Sequence, residues 1–139
     1  MITVEDLDRN ASEYFTWREV LLLRRWNIYA VPTKEHEQNI LDLLQKMDLI
    51  REMLGDPIHV TSCYRPPVYN RFIGGSVRSW HRYGMAMDFK VANQPANGVR
   101  DFLKEYLDDL EVRMENLPGS GWVHIDTAEP GTSGRYFTP

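Results

Sequence analysis

Residues 79–91 of this 139-residue chain read SWHRYGMAMDFKV, and the pattern of the last six residues decides the fold. Side chains in a β-strand alternate between two faces, and residues 86–91 follow that alternation. The apolar face consists of Met87, Phe89 and Val91. We expect this face to meet the hydrophobic core, which places Asp88 on the opposite face. His81 is predicted to lie at the end of the loop that leads into this strand.

A second predicted strand, Trp122–Thr127, shows the same alternation. Its polar face is formed by Trp122, His124 and Asp126. If the two strands are neighbours, Asp88 and His124 converge on the face away from the core. The loop that bears His81 can then close over them.

Two imidazoles and one carboxylate form a ligand set that suits zinc. Three protein ligands leave a fourth position for water, which distinguishes a catalytic zinc from a structural one. Zinc lowers the pKa of that water toward ~7 and polarises a substrate carbonyl. On spacing alone, a pair such as His81 and Asp88 is more often made of surface or capping residues.

The rest of the chain predicts helices first and then strands mixed with one helix. Thr16 and Glu19 form a capping box for a helix that we expect to run to Leu23. The strongest helical pattern begins at Thr33 and stops at Gly55. Further predicted elements are a strand Ile58–Ser62, a helical turn Val68–Phe72, a helix Pro95–Leu110, a strand Glu111–Glu115 and an irregular tail Glu129–Pro139. This order indicates an α+β fold with a small antiparallel sheet and helices packed on one face.

The string S-x-H-x-x-G-x-A-x-D at Ser79–Asp88, followed by W-V-H-I-D at Trp122–Asp126, closely resembles the zinc D-alanyl-D-alanine carboxypeptidase family. That family belongs to the fold group that also contains lysostaphin-type peptidases and hedgehog signalling domains. The segment Thr61–Pro67 resembles the family's substrate-side loop, and the whole resemblance covers roughly residues 31–126. It implies one zinc ion held by His81, Asp88 and His124.

The resemblance also implies that Arg65 meets a carboxylate or carbonyl of the substrate. A guanidinium offers a planar pair of donors that matches a carboxylate. Arg65 would therefore hold a free C-terminus or a side-chain carboxylate of the wall peptide, or steady the tetrahedral oxyanion. The alternative is an arginine that braces the loop around Asn70 and Gly74.

A general base must take a proton from the zinc-bound water and pass it to the leaving amine. Members of the resembled family commonly carry an acidic residue or a histidine a few positions before the last zinc histidine. Residues 118–123 of this chain contain neither. The nearest candidate is Glu115, which strand alternation places on one face with Arg113. We predict that Glu115 is the base, and the alternative is a surface glutamate paired with Arg113.

Several other residues are predicted to surround the site. Ser79 and Asp126 are expected to support the ligands, because a ligating imidazole usually donates its second N–H to a carboxylate or carbonyl. Asp126 has the alternative of bonding backbone in its strand. Substrate contact is predicted for Ser79, Tyr83 and Trp122. The rings of Trp80, Tyr83 and Trp122 would line a groove for peptide or sugar, with ordinary packing as the alternative. Structural roles are expected for His36, His59 and Cys63.

Composition limits the class of protein. Hydrophobic residues make up 42% of the chain, enough for one core, and we expect a single domain over residues 1–139. The single cysteine excludes a disulfide framework and a cysteine-based zinc cluster. A net charge of −4 without a basic stripe argues against nucleic-acid binding. No apolar run is long enough to span a membrane, and no secretory signal is visible at the N-terminus.

The resemblance implies a zinc metallopeptidase that hydrolyses peptide bonds in bacterial peptidoglycan stem peptides, as a carboxypeptidase or as an endopeptidase. We expect a monomer, made in the cytoplasm, that reaches the cell wall by phage-lysin-like release or another export route. One alternative is a catalytically inactive zinc module that binds wall peptide or a protein partner. Another is a structural component of a phage particle that penetrates the wall locally.

Overall fold

The longest element in the computed structural model, which describes residues 1–139, is helix α2, Lys34–Leu54. The Thr33 hydroxyl caps its start by accepting a hydrogen bond from the His36 amide at 3.1 Å. It ends at Gly55, whose φ of +78° lies in the left-handed region that glycine adopts without steric cost. Both predicted ends are confirmed. The residues that α2 buries are Ile40, Leu43, Leu44, Met47, Ile50 and Leu54.

Four further helices and seven strands complete the fold. The helices are α1 Trp17–Leu21, α3 Pro67–Phe72, α4 Ala96–Leu103 and α5 Leu107–Leu110. The strands are β1 Leu22–Leu23, β2 Ile28–Tyr29, β3 Ile58–Ser62, β4 Ala86–Val91, β5 Arg113–Glu115, β6 Val123–Asp126 and β7 Tyr136–Phe137. Short 3₁₀ helices lie at Val4–Asp6 and Trp80–Tyr83. None of the helices combines the length and apolar character that a membrane crossing requires.

Strands β3 to β7 form one sheet in the order β3-β4-β6-β5-β7. All neighbouring pairs are antiparallel except β5 and β7, which run parallel. One face of the sheet joins α2 in a single hydrophobic core. The fully buried sheet residues in that core are Met87, Phe89, Met114, Val123 and Ile125. The predicted α+β class, with a small sheet covered by helices on one face, is confirmed.

The opposite face of the sheet carries a row of residues that crosses all five strands. Asp88 on β4 is paired with Ser62 on β3 and with His124 on β6. The register of β5 against β6 continues the row to Glu115, which is paired in turn with Phe137 on β7. Because neighbouring strands lie about 5 Å apart, this register brings Asp88 and His124 side by side.

The predicted helix Pro95–Leu110 was wrong as a single element, because α4 ends at Leu103 and α5 begins at Leu107. The buried apolar residues of the two helices are Val99, Leu103, Leu107 and Leu110. They keep helical spacing across the break, so the apolar pattern is the same for one helix or two. No glycine or proline lies between the two helices to mark the turn.

Three shorter predictions also differ from the structure. Helix α1 ends at Leu21, two residues early, because Leu22 takes extended backbone and β1 forms a hairpin with β2. Glu111 adopts a left-handed φ of +56° at the end of α5, so β5 begins only at Arg113. The tail is not wholly irregular, since β7 adds to the edge of the sheet beside β5.

Gly84 joins the 3₁₀ helix at Trp80–Tyr83 to β4 with a φ of +73°. A Cβ at this position would lie 2.7 Å from Ile40 Cγ1 and 2.8 Å from the His36 carbonyl oxygen. Gly84→Ala combines backbone strain with a clash against α2, so we expect it to lower the free energy of unfolding by about 2–4 kcal/mol.

Gly55→Ala is the matched control for that substitution. Gly55 has a similar φ of +78°, but a Cβ there meets nothing within 4 Å. We expect strain alone to cost about 1 kcal/mol. Urea denaturation measures both variants, and equal losses would show that contact with α2 does not require glycine at position 84.

Candidate metal centre

The three predicted metal ligands meet on the polar face of the sheet. His81 Nε2 lies 3.2 Å from Asp88 Oδ1, and His124 Nδ1 lies 2.8 Å from the same oxygen. Each residue offers one ligand atom within 4.8 Å of the other two. Atoms this close together can bind a single metal ion jointly.

Separate elements deliver the three side chains. Asp88 and His124 are direct partners across β4 and β6. His81 lies in the 3₁₀ helix that precedes β4, rather than in an irregular loop as predicted. The Ser79 hydroxyl caps this helix by accepting a hydrogen bond from the His81 amide at 3.2 Å. The Arg65 amide donates to the His81 carbonyl at 2.9 Å, which ties the helix to the segment after β3.

The second nitrogen of each imidazole faces an oxygen acceptor. His81 Nδ1 lies 2.7 Å from the Cys63 carbonyl oxygen, and His124 Nε2 lies 2.9 Å from Asp126 Oδ2. These acceptors assign the ring proton of each neutral imidazole to that outer nitrogen. The inner nitrogens then direct two lone pairs at the Asp88 carboxylate. Such an arrangement is stable only with a cation between them.

The donor set therefore fits zinc. Imidazole nitrogen and carboxylate oxygen are ordinary zinc ligands, and two histidines with one acidic residue form a known catalytic combination. Histidines that bind a metal usually donate their other N–H to a carbonyl or carboxylate, as His81 and His124 do here. The residues present supply both the ligands and the groups that orient them.

The ionisation of the three ligands reflects their crowding. Burial alone would raise the pKa of Asp88, but His81 and His124 outweigh it and hold that pKa well below its usual range. Burial lowers the pKa of His81 and keeps its ring neutral. Burial also opposes a charge on His124, but hydrogen bonds to Asp126 and Asp88 raise its pKa to about 9. At pH 7 a proton on His124 thus supplies the cation in the metal-free protein.

Arg65 contacts the second oxygen of Asp88. Its terminal nitrogen donates to Asp88 Oδ2 at 3.0 Å, and its Nε donates to the Ser62 hydroxyl at 2.8 Å. The predicted bracing contact to Asn70 is also present, at 3.5 Å. Arg65 therefore orients the Asp88 carboxylate toward the two imidazoles. Its role toward substrate stays a prediction.

Asp126 links the metal centre to Arg113 on β5. Arg113 donates to the two Asp126 oxygens at 2.7 and 2.9 Å, and the Ala128 amide donates at 3.2 Å. Asp126 is fully buried. The Arg113 guanidinium lies 4.1 Å from the centre of the Phe137 ring. The ion pair with Arg113 holds Asp126 in place beside His124. The alternative in which Asp126 bonds backbone instead is wrong.

The metal centre opens into a cavity of about 520 Å³. Among the residues predicted to contact substrate, Arg65, Ser79 and Trp122 line it. Tyr83 does not line this cavity and lies instead in a neighbouring one of about 410 Å³. The structure thus brings most, but not all, of the predicted residues to one opening.

Glu115 also lines the cavity, and its carboxylate is free. Arg113 is paired with Asp126, so the alternative in which Glu115 pairs with Arg113 is wrong. Glu115 is half-buried and makes no side-chain hydrogen bond or ion pair. Burial raises its pKa, an effect that His124 opposes and Asp88 reinforces.

Arg100 on α4 is a functional candidate that sequence reasoning missed. Its side chain is 2% exposed, yet it has no carboxylate partner. It donates to the carbonyl oxygens of Trp122 at 2.6 Å and Ser120 at 3.1 Å, and to the side chain of Asn97. Arg100 therefore fixes the loop that leads from β5 to His124. A single arginine in a helix carries no sequence signal that separates it from a surface residue.

The remaining polar residues considered in the sequence have structural contacts. His36 Nδ1 lies 2.9 Å from the Tyr64 hydroxyl, and His59 Nε2 lies 2.8 Å from an Arg24 nitrogen. Burial raises the pKa of Cys63 to about 12, which keeps it a thiol. None of the side chains of His36, His59 and Cys63 lines the cavity at the metal centre.

The fold is a small β-sheet with helices on one face and a His-Asp-His centre on the other. This combination is typical of one class of protein, the metal-dependent peptidases. A family profile described as Peptidase M15 matches residues 13–126. The match covers most of the chain, and the chain belongs to this family of zinc peptidases. The resemblance found in the sequence is confirmed. Among curated proteins, none matches the sequence.

The raised pKa of His124 predicts how zinc binding depends on pH. Zinc must displace the proton on His124, whereas the low pKa values of His81 and Asp88 leave them without a proton to release at pH 7. Binding should release about one proton, and affinity should rise about tenfold per pH unit up to pH ~9 and then level off. Calorimetry in buffers of different ionisation enthalpy counts the proton. An affinity that does not change between pH 7 and 9 would contradict this assignment.

The contacts of Asp126 predict a second effect on zinc binding. Asp126→Asn keeps the shape of the side chain but removes the charge shared by Arg113 and His124, so the imidazole is held less firmly. We expect zinc affinity to fall about 10- to 100-fold in chelator competition. Asp108→Asn is the matched control, because Asp108 is an exposed carboxylate that pairs with Arg135, and neither residue lines the cavity at the metal centre. Equal affinities in both variants would remove Asp126 from the site.

Proposed function

We propose that the protein binds one zinc ion at His81, Asp88 and His124 and hydrolyses peptide bonds in peptidoglycan stem peptides. The observation that supports this most strongly is the convergence of two imidazole nitrogens on one carboxylate oxygen beside an open cavity. Membership of the peptidase family supports a peptide substrate. All three ligands come from one chain, which supports action as a monomer.

When bound, zinc would polarise the scissile carbonyl and lower the pKa of a water molecule toward ~7. The protein side chains prepare the site for that chemistry. Arg65 keeps Asp88 turned toward the imidazoles, and the Cys63 carbonyl and Asp126 keep the imidazole lone pairs directed inward. Preorganised groups of this kind need no rearrangement when substrate arrives.

Glu115 is proposed as the general base. Of the three carboxylates that line the cavity, Asp88 faces the imidazoles and Asp126 is fully hydrogen-bonded, so only Glu115 has free oxygens. Its pKa is raised by burial, which makes the carboxylate a better proton acceptor near neutral pH. Glu115 would take the proton from the attacking water and return it to the leaving amine.

Arg65 and Trp122 are proposed to contact the substrate at the cavity. Arg65 retains donors beyond its contacts with Ser62, Asn70 and Asp88, since a guanidinium carries five N–H groups. Those donors would stabilise the oxyanion that develops on the scissile carbonyl. Trp122 lies half exposed at the end of the loop that Arg100 fixes, and its ring would pack against the peptide.

We further propose that the protein acts at the cell wall, which it would reach by lysin-type release or another export route. The proposal includes cleavage at the C-terminus of the stem peptide and cleavage within it. A cavity of about 520 Å³ has room for a few peptide residues. That is enough to hold either the C-terminal or an internal bond of a stem peptide.

A catalytically inactive zinc module that binds wall peptide is the second candidate. One observation favours it: residues 118–123 contain no acidic residue or histidine before His124. A base would therefore have to come from β5, the neighbouring strand in the sheet, which carries Glu115. The two candidates differ in turnover and agree on zinc and on peptide binding.

Glu115→Gln separates the two candidates. The amide keeps the size of the side chain but cannot accept the proton, so hydrolysis should fall at least about 100-fold while zinc content stays at one ion per chain. The measurement is digestion of purified peptidoglycan by zinc-loaded protein, with the fragments identified by mass spectrometry.

Glu105→Gln serves as the matched control, because Glu105 is exposed and lies outside the cavity. It should release the same fragments as the wild type. A wild type that binds zinc and releases no fragment supports the inactive module. A Glu115→Gln variant with full activity shows that another group is the base.

A further inference from the structure

The cavity at the metal centre has a neighbour of about 410 Å³, and Arg78 and Trp80 line both. We call this second space the distal groove. Its side chains of interest are Arg78, Trp80, Arg82 and Tyr83. The groove starts at the 3₁₀ helix that carries His81 and runs away from the sheet toward α2, where Glu35 and Asn39 complete its wall.

Two partly exposed aromatic residues, Trp80 and Tyr83, line the distal groove. Trp80 is 38% exposed and Tyr83 is 37% exposed, with ring centroids 5.7 Å apart. Both residues lie in the same 3₁₀ helix as His81, so the distance from the rings to the metal centre is fixed by one short element. The Met85 amide donates to the Trp80 carbonyl at 3.2 Å and anchors the end of that element.

Two arginines flank the rings, and only one of them is engaged. Arg82 donates to the Ser79 carbonyl at 3.1 Å and lies 5.0 Å from the centre of the Tyr83 ring. The Arg78 guanidinium makes no hydrogen bond or ion pair, and only the Arg78 backbone amide is bonded, to the Ser76 hydroxyl. Glu35 is the single carboxylate of the groove. In a chain of net charge −4, this is a local excess of positive charge.

The free guanidinium of Arg78 contrasts with that of Arg65. Each of the three nitrogens of the Arg65 guanidinium donates to a side chain of the protein, Ser62, Asn70 or Asp88. Arg78 has all five N–H groups available at the junction of the two cavities. A planar pair of such donors matches a carboxylate, and an aromatic surface beside it suits the apolar part of a peptide.

We propose that the distal groove binds a segment of the substrate that carries a carboxylate, with Arg78 as the residue that receives it and the rings of Trp80 and Tyr83 as the surface beneath. This inference rests on the proposed function, because stem peptides offer an internal carboxylate and a C-terminal one. Arg78 thereby determines which peptides are bound, and it takes no part in breaking the bond.

The test uses zinc-loaded Glu115→Gln protein, which binds peptide without consuming it, as the parent. The probes are a synthetic stem pentapeptide that ends in D-Ala-D-Ala and two analogues, with either the internal or the C-terminal carboxylate converted to an amide. Adding Arg78→Gln should weaken binding of the pentapeptide about fivefold or more. It should have no further effect on the analogue that lacks the recognised carboxylate, because the two changes remove the same contact.

Arg71→Gln is the matched control, since Arg71 is also an exposed arginine but lines neither cavity. It should bind all three peptides like the parent. Equal affinities of parent and Arg78→Gln for the pentapeptide, or an equal loss for all three peptides, overturn the inference. A neutral tetramer of N-acetylglucosamine that binds the parent and loses affinity on Trp80→Ala, with no effect of Arg78→Gln on peptide, assigns the groove to glycan and also overturns it.

The same titrations separate this inference from the proposed function. A parent that retains zinc but binds none of the three peptides overturns both. A parent that binds the pentapeptide with an affinity that does not depend on Arg78 overturns only the role of the distal groove.

Discussion

The Asp88 carboxylate is the point on which the rest of the site depends. One of its oxygens faces both imidazoles, and the other accepts a hydrogen bond from Arg65. A buried carboxylate is costly unless it is paired, so these contacts are conditions for the fold as well as for function. They join three parts of the chain that are distant in sequence. The sheet register decides whether they can form, because a slip of one residue in β4 would turn Asp88 into the core and bring an apolar neighbour to the metal centre.

The residues that hydrogen-bond to the metal ligands are placed as specifically as the ligands themselves. The Cys63 carbonyl fixes one imidazole, and Asp126 fixes the other. Asp126 depends in turn on Arg113, whose guanidinium lies against Phe137. The last strand of the sheet therefore supports the metal centre through two intermediate residues. This explains why a short tail that has no ligand of its own is held in the sheet.

Strand alternation was sufficient to predict the face on which the central residues lie. β4 and β6 are short and amphipathic, so each polar residue among buried neighbours has only one face available, and Asp88 and His124 both obey this constraint. The same reasoning placed Glu115 on that face. The position of His81 was predicted from its motif, but the 3₁₀ helix that fixes it was not, because a single turn of helix has no period to detect.

Contacts between polar residues far apart in sequence escaped prediction for a physical reason. Nothing in the chain pairs Arg65 with Asp88, or Arg100 with the carbonyl of Trp122, until the sheet and α4 have formed. The sequence also gives no sign that α4 and α5 are separate helices, because one long helix and two short ones would bury the same apolar face. Periodicity thus predicts the elements and the faces of their residues, and tertiary packing decides which acceptor each free donor meets.

The charges at the centre account for the properties that a loaded site would have. Four basic side chains line the cavity at the metal centre, namely Arg65, Arg78, Arg113 and His124, the last of which is protonated at pH 7 in the metal-free protein. Three carboxylates, Asp88, Asp126 and Glu115, line it as well, so charges of the two signs nearly cancel. Exchange of one proton for a divalent ion leaves the site with a net positive charge in a partly buried space. Negative charge that develops on a substrate carbonyl is then favoured. In the proposed reaction Glu115 would accept a proton at the same stage, and the loss of its negative charge would be offset by the charge that appears on the substrate. Among the carboxylates of the centre, Glu115 alone makes no hydrogen bond or ion pair, which is why it is the residue proposed for this exchange.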